Sequence, residues 1–149
     1  MIKKNIILLS LLFFFNSCGF SPIYLTNKNV NFSIEQADYI GDRELNNFLK
    51  VNLNKYKNKK LDNKILIEIN SEYKKKILSN DSAGEVTNYQ LEANVVILIK
   101  NTNKIIKIYE NSIMKNMANK FEEERHERYI KQNFASSITN KLISELIIN

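Results

Sequence analysis

Thr87-Asn88-Tyr89-Gln90-Leu91-Glu92-Ala93-Asn94-Val95-Val96-Ile97-Leu98-Ile99-Lys100 is the stretch on which the fold turns. From Tyr89 its apolar side chains fall at every second position, Leu91, Ala93, Val95, Ile97 and Ile99. That is the period of a strand, not of a helix. Upstream, Lys64 to Leu78 carries Ile65, Ile67, Ile69 and Tyr73 on one face. Between the two, Ser79 to Glu85 holds Asn80, Asp81 and Gly84, the residue types of a hairpin turn. Downstream, the short turn Asn101 to Lys104 leads into another strand, Ile105 to Met117.

Two helices flank these strands. Asp42 is a fitting N-cap, and Leu45, Phe48, Leu49, Leu53 and Tyr56 follow at helical spacing, predicting an amphipathic helix from Arg43 to Tyr56. Val30 to Ile40, with Phe32 and Ile34 alternating against Ser33 and Glu35, reads as a first strand before it. At the other end, Asn119 with Glu122 resembles a capping box, and Glu122, Glu123 and Glu124 suit the positive end of a helix dipole. Ile130, Phe134, Ile138, Leu142 and Leu146 recur every fourth residue, so a long helix runs from Lys120 to Ile147. The expected class is an α/β sandwich: a four-stranded mixed sheet with two helices packed on one face, in the order β-α-β-β-β-α.

Size now bears on partners. Four strands make a sheet about 19 Å wide, and two helices about 10 Å in diameter cover one face of it and no more. Yet Val96 and Leu98 point opposite to Val95, Ile97 and Ile99, and Ile105 beside Ile106 repeats the conflict on the next strand. A sheet apolar on both faces needs cover on both. Either a partner lies against Val96 and Leu98, or the N-terminal tether or a loop folds over them.

Composition bounds the rest. The chain has 149 residues, 44% hydrophobic and 26% charged, with one Cys, one Pro and three Gly. This excludes collagen-like, disulfide-framework and disordered classes and fits a single globular domain over residues 30–149. The net charge of +6 rests on 19 Lys and only 3 Arg, and Lys, Asn and Ile together supply 63 of the 149 residues. That reads as the drift of an A/T-rich genome, and scarce Arg argues against a nucleic-acid partner.

The N-terminus reads as an address. Lys3 and Lys4 precede the apolar run Ile6 to Phe15, which is too short to span a bilayer and suits the core of a signal peptide. It ends in Phe15-Asn16-Ser17-Cys18, and a small residue directly before the sole Cys resembles a bacterial lipobox. Residues 1–17 are then a lipoprotein signal peptide and 18–29 a lipidated tether. Cys18 is the expected attachment point for diacylglycerol and an amide-linked acyl chain such as palmitate. At about 0.8 kcal/mol per buried methylene, three chains anchor a protein essentially permanently. Gly19 in place of Asp makes the outer membrane of a Gram-negative bacterium the default destination.

Catalytic constellations are missing from the sequence. His126 is the only His, there is no HExxH or GxSxG pattern, and Gly19, Gly41 and Gly84 cannot form a phosphate-cradling loop. No enzyme, metal or further cofactor is expected. Lys74, Lys75 and Lys76 put charge on both faces of a strand near the hairpin turn, a cationic tip. Such a cluster serves either as solubilising edge protection or as a contact for phosphorylated lipid.

Cys18-Gly19-Phe20 followed by Ser21-Pro22-Ile23-Tyr24 resembles the CGFxPLY opening of alphaproteobacterial members of the lipopolysaccharide-assembly lipoprotein family, LptE. The element order and the long C-terminal helix with Ala135 and Ser136 extend the resemblance along the chain. It implies a non-enzymatic outer-membrane lipoprotein that plugs the barrel LptD and helps place lipopolysaccharide in the outer leaflet. In that reading the barrel meets Val96 and Leu98, and Lys74, Lys75 and Lys76 contact lipopolysaccharide. The other class left open is a lipid-anchored periplasmic binding or scaffold protein, inhibitor-like, with a soluble partner.

Overall fold

The computed structural model describes residues 30–148; the expected signal peptide (1–17), the expected tether (18–29) and Cys18 lie outside them. Strand β1 (Ser33–Gly41) leads to helix α1 (Arg43–Leu53) and a one-turn 3-10 helix (Asn54–Tyr56). Strands β2 (Lys64–Asn80), β3 (Val86–Ile99) and β4 (Lys104–Lys115) follow, and then helix α2 (Lys120–Ile148). The class is α/β, a mixed sheet with two helices. Among the described residues the spatial order is β1-β2-β3-β4, with β1 parallel to β2 and the other pairs antiparallel. The chain order departs from the expected one by the 3-10 turn, where the α1 ladder tightens after Leu53 instead of running on to Tyr56.

Local chemistry sets the boundaries. Gly41 ends β1 at φ +100°, a conformation L residues avoid, and a β-carbon there would collide with the Ser71 carbonyl. The next residue, Asp42, donates its N–H to that carbonyl (3.0 Å) and accepts from the Leu45 N–H (2.7 Å), starting α1 as expected. The β2–β3 turn is tighter than the sequence predicts: Asp81 accepts from the N–H groups of Ala83 and Glu85, both at 2.9 Å. Strand pairing therefore continues to Asn80 and resumes at Val86. The first strand starts at Ser33, not Val30, because Ser33 is drawn into the loop after α1: its N–H donates to the Asn63 carbonyl and its hydroxyl accepts from the Asn58 N–H (each 2.8 Å).

The core lies between sheet and helices. Ile67, Ile69, Leu91, Ala93, Val95, Ile97, Ile106 and Ile108 meet Leu45, Leu49, Ile130, Phe134, Ile138 and Leu142, all buried. Each fully buried Leu or Ile contributes about 1.5–3 kcal/mol. Both helices pack on this one face, α2 chiefly against α1 and β4. The opposite face carries no helix among the described residues.

Candidate functional site

The uncovered face is a grid set by strand register. One row runs Ile40, Asn70, Val96, Lys107, and the next runs Asp38, Glu68, Leu98, Ile105. Further along, Asn94 stands opposite Tyr109, and Gln90 opposite Ile113. Val96 (38% exposed) and half-buried Leu98 thus sit where the sequence places them, turned away from the core. From β4 come Ile105 (58%), whose doubling with Ile106 the sequence marks, and two residues the structure adds, Tyr109 (47%) and Ile113 (64%). Tyr109 and Ile113 escape the sequence reading because Lys107, Glu110, Asn111 and Ser112 interrupt their strand, so no unbroken apolar run marks them.

Around this apolar patch the charges are matched. Lys100 pairs with Asp38 (2.7 Å) and Glu68 (3.4 Å), Lys74 with Glu72 (2.6 Å), and Lys76 with Glu92 (2.6 Å). The Glu92 hydrogen bond raises the Lys76 pKa, and the Lys74 hydrogen bond lowers that of Glu72. Lys107, set in the patch between Ile105 and Tyr109, makes no ion pair among the described residues.

The lysine triplet divides as strand geometry requires. Lys74 and Lys76 face the open side, while Lys75 turns to the helix side, where Glu123 (3.1 Å) and Glu127 (2.9 Å) of α2 hold it over the Tyr89 ring at 4.3 Å. The expected cationic tip is not there: each lysine has a carboxylate, and pairing of β2 with β3 continues past Lys76 to Asn80. Burial pulls the Lys75 pKa down, but the hydrogen bonds of Glu127 and Glu123 outweigh it and leave the net shift upward.

Lys75 belongs to an ionic cluster that sequence reasoning missed. The Glu123 carboxylate, 4% exposed, accepts from the Met117 N–H (3.0 Å) as well as from Lys75 and Lys120. The Met117 N–H, then the two lysines, outweigh burial and hold its pKa below the ordinary range. Tyr73 donates to Glu127 (2.9 Å), and burial followed by the Glu127 charge raises its pKa. Lys131 lies 4.0 Å over the Tyr73 ring and reaches Glu44 of α1 at 2.9 Å. A signal existed: Glu123, Glu127 and Lys131 recur every fourth residue in phase with Ala135, Thr139 and Ile143, a buried row one position on from the Ile130, Phe134, Ile138 stripe. The capping is also reassigned, since Asn119 accepts from the Phe121 N–H (3.0 Å) but the residue reaching back is Glu123, while Glu122 pairs with Arg125.

Beside β4, a groove of about 800 Å³ is lined by Ile106–Tyr109 and by α2 side chains including Ser136, Ser137, Asn140 and Lys141. His126 is exposed on α2, and no cluster of metal-binding side chains occurs among the described residues. No helix among them is long and apolar enough to cross a membrane.

The geometry can hold a flat, largely apolar partner surface bordered by neutralised charge. The fold is shared with two solved lipoproteins. The rare lipoprotein B from Shewanella oneidensis matches at TM-score 0.53 and 12% identity over 75% of this chain and 93% of that one. A minor lipoprotein from Acinetobacter baumannii matches at TM-score 0.50 and 15% identity over 76% and 95%. No family model and no curated protein sequence matches the chain.

Proposed function

We propose that this chain is a non-enzymatic lipoprotein, anchored through Cys18 at the periplasmic face of the outer membrane, that plugs the barrel LptD and assists lipopolysaccharide assembly. The observation that carries the reading is the open sheet face, where Val96, Leu98, Ile105 and Tyr109 form an apolar patch that no helix among the described residues covers. Supporting it are the lipobox-like Ser17-Cys18, the opening that resembles LptE, and the fold shared with two lipoproteins. Size is consistent as well. A sheet layer and a helix layer together are about 20 Å across in both directions, which calls for a barrel of roughly 20 strands or more, the class whose lumen is plugged. In this reading Lys74 and Lys76, on the same face, are the lysines placed for lipopolysaccharide phosphates.

Co-purification tests it. A tagged wild-type copy should carry a large barrel protein out of detergent-solubilised outer membranes. Replacing both Val96 and Leu98 by Thr should sharply reduce the yield of that barrel while changing stability by no more than about 1–2 kcal/mol. Recovery of a soluble periplasmic protein instead of a barrel would favour the scaffold or inhibitor-like reading.

A further inference from the structure

The two sheet edges are managed differently. Edge strand β1 is nine residues long, interrupted by an irregularity between Ile34 and Gln36, and flanked by α1 and the 3-10 turn. Both devices blunt an edge. Strand β4 has twelve residues, an unbroken register with β3 and no proline, and its outer edge meets no strand among the described residues. Alongside it runs the groove under α2, so an added strand would not be blocked by the helix.

From its side-chain order we infer that β4 pairs with β4 of a second copy, antiparallel about a two-fold axis at Tyr109. An isologous antiparallel pair keeps the same face of both copies on one side, so the axis must lie at a single residue. Centred on Tyr109, the open face sets Ile105 against Ile113 of the second copy, Tyr109 against Tyr109, and Lys107 against Asn111. On the helix side Ile106 meets Ser112, and Ile108 meets Glu110, whose charge Lys141 already holds at 2.7 Å. The strand lysines 104, 107 and 115 fall opposite Met114, Asn111 and Asn103, never opposite one another.

Other registers are worse. Centring on Lys107 or Glu110 sets like charges face to face, and centring on Asn111 puts Lys107 against Lys115. Centring on Ile108 places Ile105 and Ile113 opposite asparagines. Only the Tyr109 register joins all three exposed apolar residues of β4 into one row, and such cross-strand pairs are what fix strand association.

The inference goes beyond the barrel reading and does not rest on it. A paired sheet of eight strands is about 38 Å wide, twice the single copy, so self-pairing and occupancy of a barrel lumen exclude each other. The pair is the state of the chain when no barrel holds it.

Intact chain purified in detergent without its membrane partners should sediment as a dimer. Tyr109→Cys should give a copy-to-copy disulfide, because directly opposed Cα atoms in an antiparallel pair are about 4.5–5.5 Å apart, within disulfide reach. Lys107→Cys should not, its own copy being four residues out of register, and the unsubstituted chain is the control for Cys18. Ile105→Lys, at a 58% exposed position that spares the fold, should weaken dimerisation at least tenfold. Val96→Lys, away from the edge, should leave it unchanged. Four results would overturn the inference: a monomer at all concentrations, equal cross-linking at 107 and 109, an undiminished dimer in Ile105→Lys, or dissociation by Val96→Lys. None of them bears on barrel co-purification.

Discussion

The two faces of one sheet, drawn from the same four strands, solve opposite problems. On the helix side the apolar residues Ile67, Ile69, Val95 and Ile97 are at most 1% exposed, and the charges that intrude are clasped in a cluster of Glu123, Glu127, Lys75 and Lys131. On the open side apolar residues sit in water at 38% to 64% exposure, ringed by ion pairs that cancel one another. A strand can serve both because neighbouring residues point apart. Val96 and Ile97 are adjacent in sequence and unlike in consequence.

The same charge placed on each side of the sheet should have the most unequal effects. Ile97→Asp buries an unpaired carboxylate in the core and should unfold the domain, a loss of more than about 4 kcal/mol. Val96→Asp leaves its carboxylate in water and should cost no more than about 1 kcal/mol. Thermal melts followed by circular dichroism would show the contrast, and equal losses would mean that the open face is covered within the monomer.

The uneven legibility of the sequence follows from the same geometry. Apolar residues at every second position from Tyr89 to Ile99 and the four-residue recurrence from Ile130 to Leu146 each encode one buried face, so their elements could be placed within a few residues. The open face is legible at Val96, Leu98 and Ile105, where doubled apolar residues break the alternation. Tyr109 and Ile113 each adjoin a core-facing residue, Ile108 and Met114, but Glu110, Asn111 and Ser112 separate the two pairs, so no run marks them and nothing in the sequence tells which face lacks a helix. Charge pairing was illegible for a related reason. Lys75 and Glu123 are 48 residues apart, and only the folding of α2 onto the helix side of the sheet brings their side chains together. A run of lysines therefore looked cationic when each already had its acid.

A smaller effect, confined to the helix side, comes from Glu123→Gln. The amide keeps the shape and can still accept from the Met117 N–H, but it loses the charge that Lys75 and Lys120 meet. At neutral pH it should cost about 1–2 kcal/mol. Because the folded pKa of Glu123 lies below its ordinary value of 4.5, its contribution is complete above that value and is lost as pH falls through the lower folded one. The gap between wild type and variant in urea titrations should therefore be constant from mildly acidic to neutral pH and close on further acidification. A gap that widened in acid would contradict the assignment.

The smallest effect on stability belongs to the open-face lysines, Lys74 and Lys76, and comparison with Lys75 separates the faces once more. Lys75→Gln leaves Glu123 and Glu127 short of a cation where its own side chain is only 28% exposed, and it removes the contact with Tyr89, so it should lower stability by roughly 1–2 kcal/mol. Lys74→Gln with Lys76→Gln removes two pairs whose lysines are exposed, with Glu92 at 12% the one shielded partner, and should cost less than about 1 kcal/mol, because ion pairs reaching into solvent contribute little. Lipopolysaccharide binding should respond in the opposite sense. If Lys74 and Lys76 meet its phosphates from the open face, the double variant should bind it more weakly and with a shallower salt dependence, since exposed charges are screened over about 8 Å at physiological ionic strength. Lys75→Gln, turned to the helices, should leave that salt dependence intact. Each lysine already has a carboxylate within 3.1 Å, so the loss per residue should be modest, as a phosphate must compete with the resident acid. An unchanged affinity in the double variant would assign Lys74 and Lys76 to holding Glu72 and Glu92 on the open face, with lipopolysaccharide contact elsewhere.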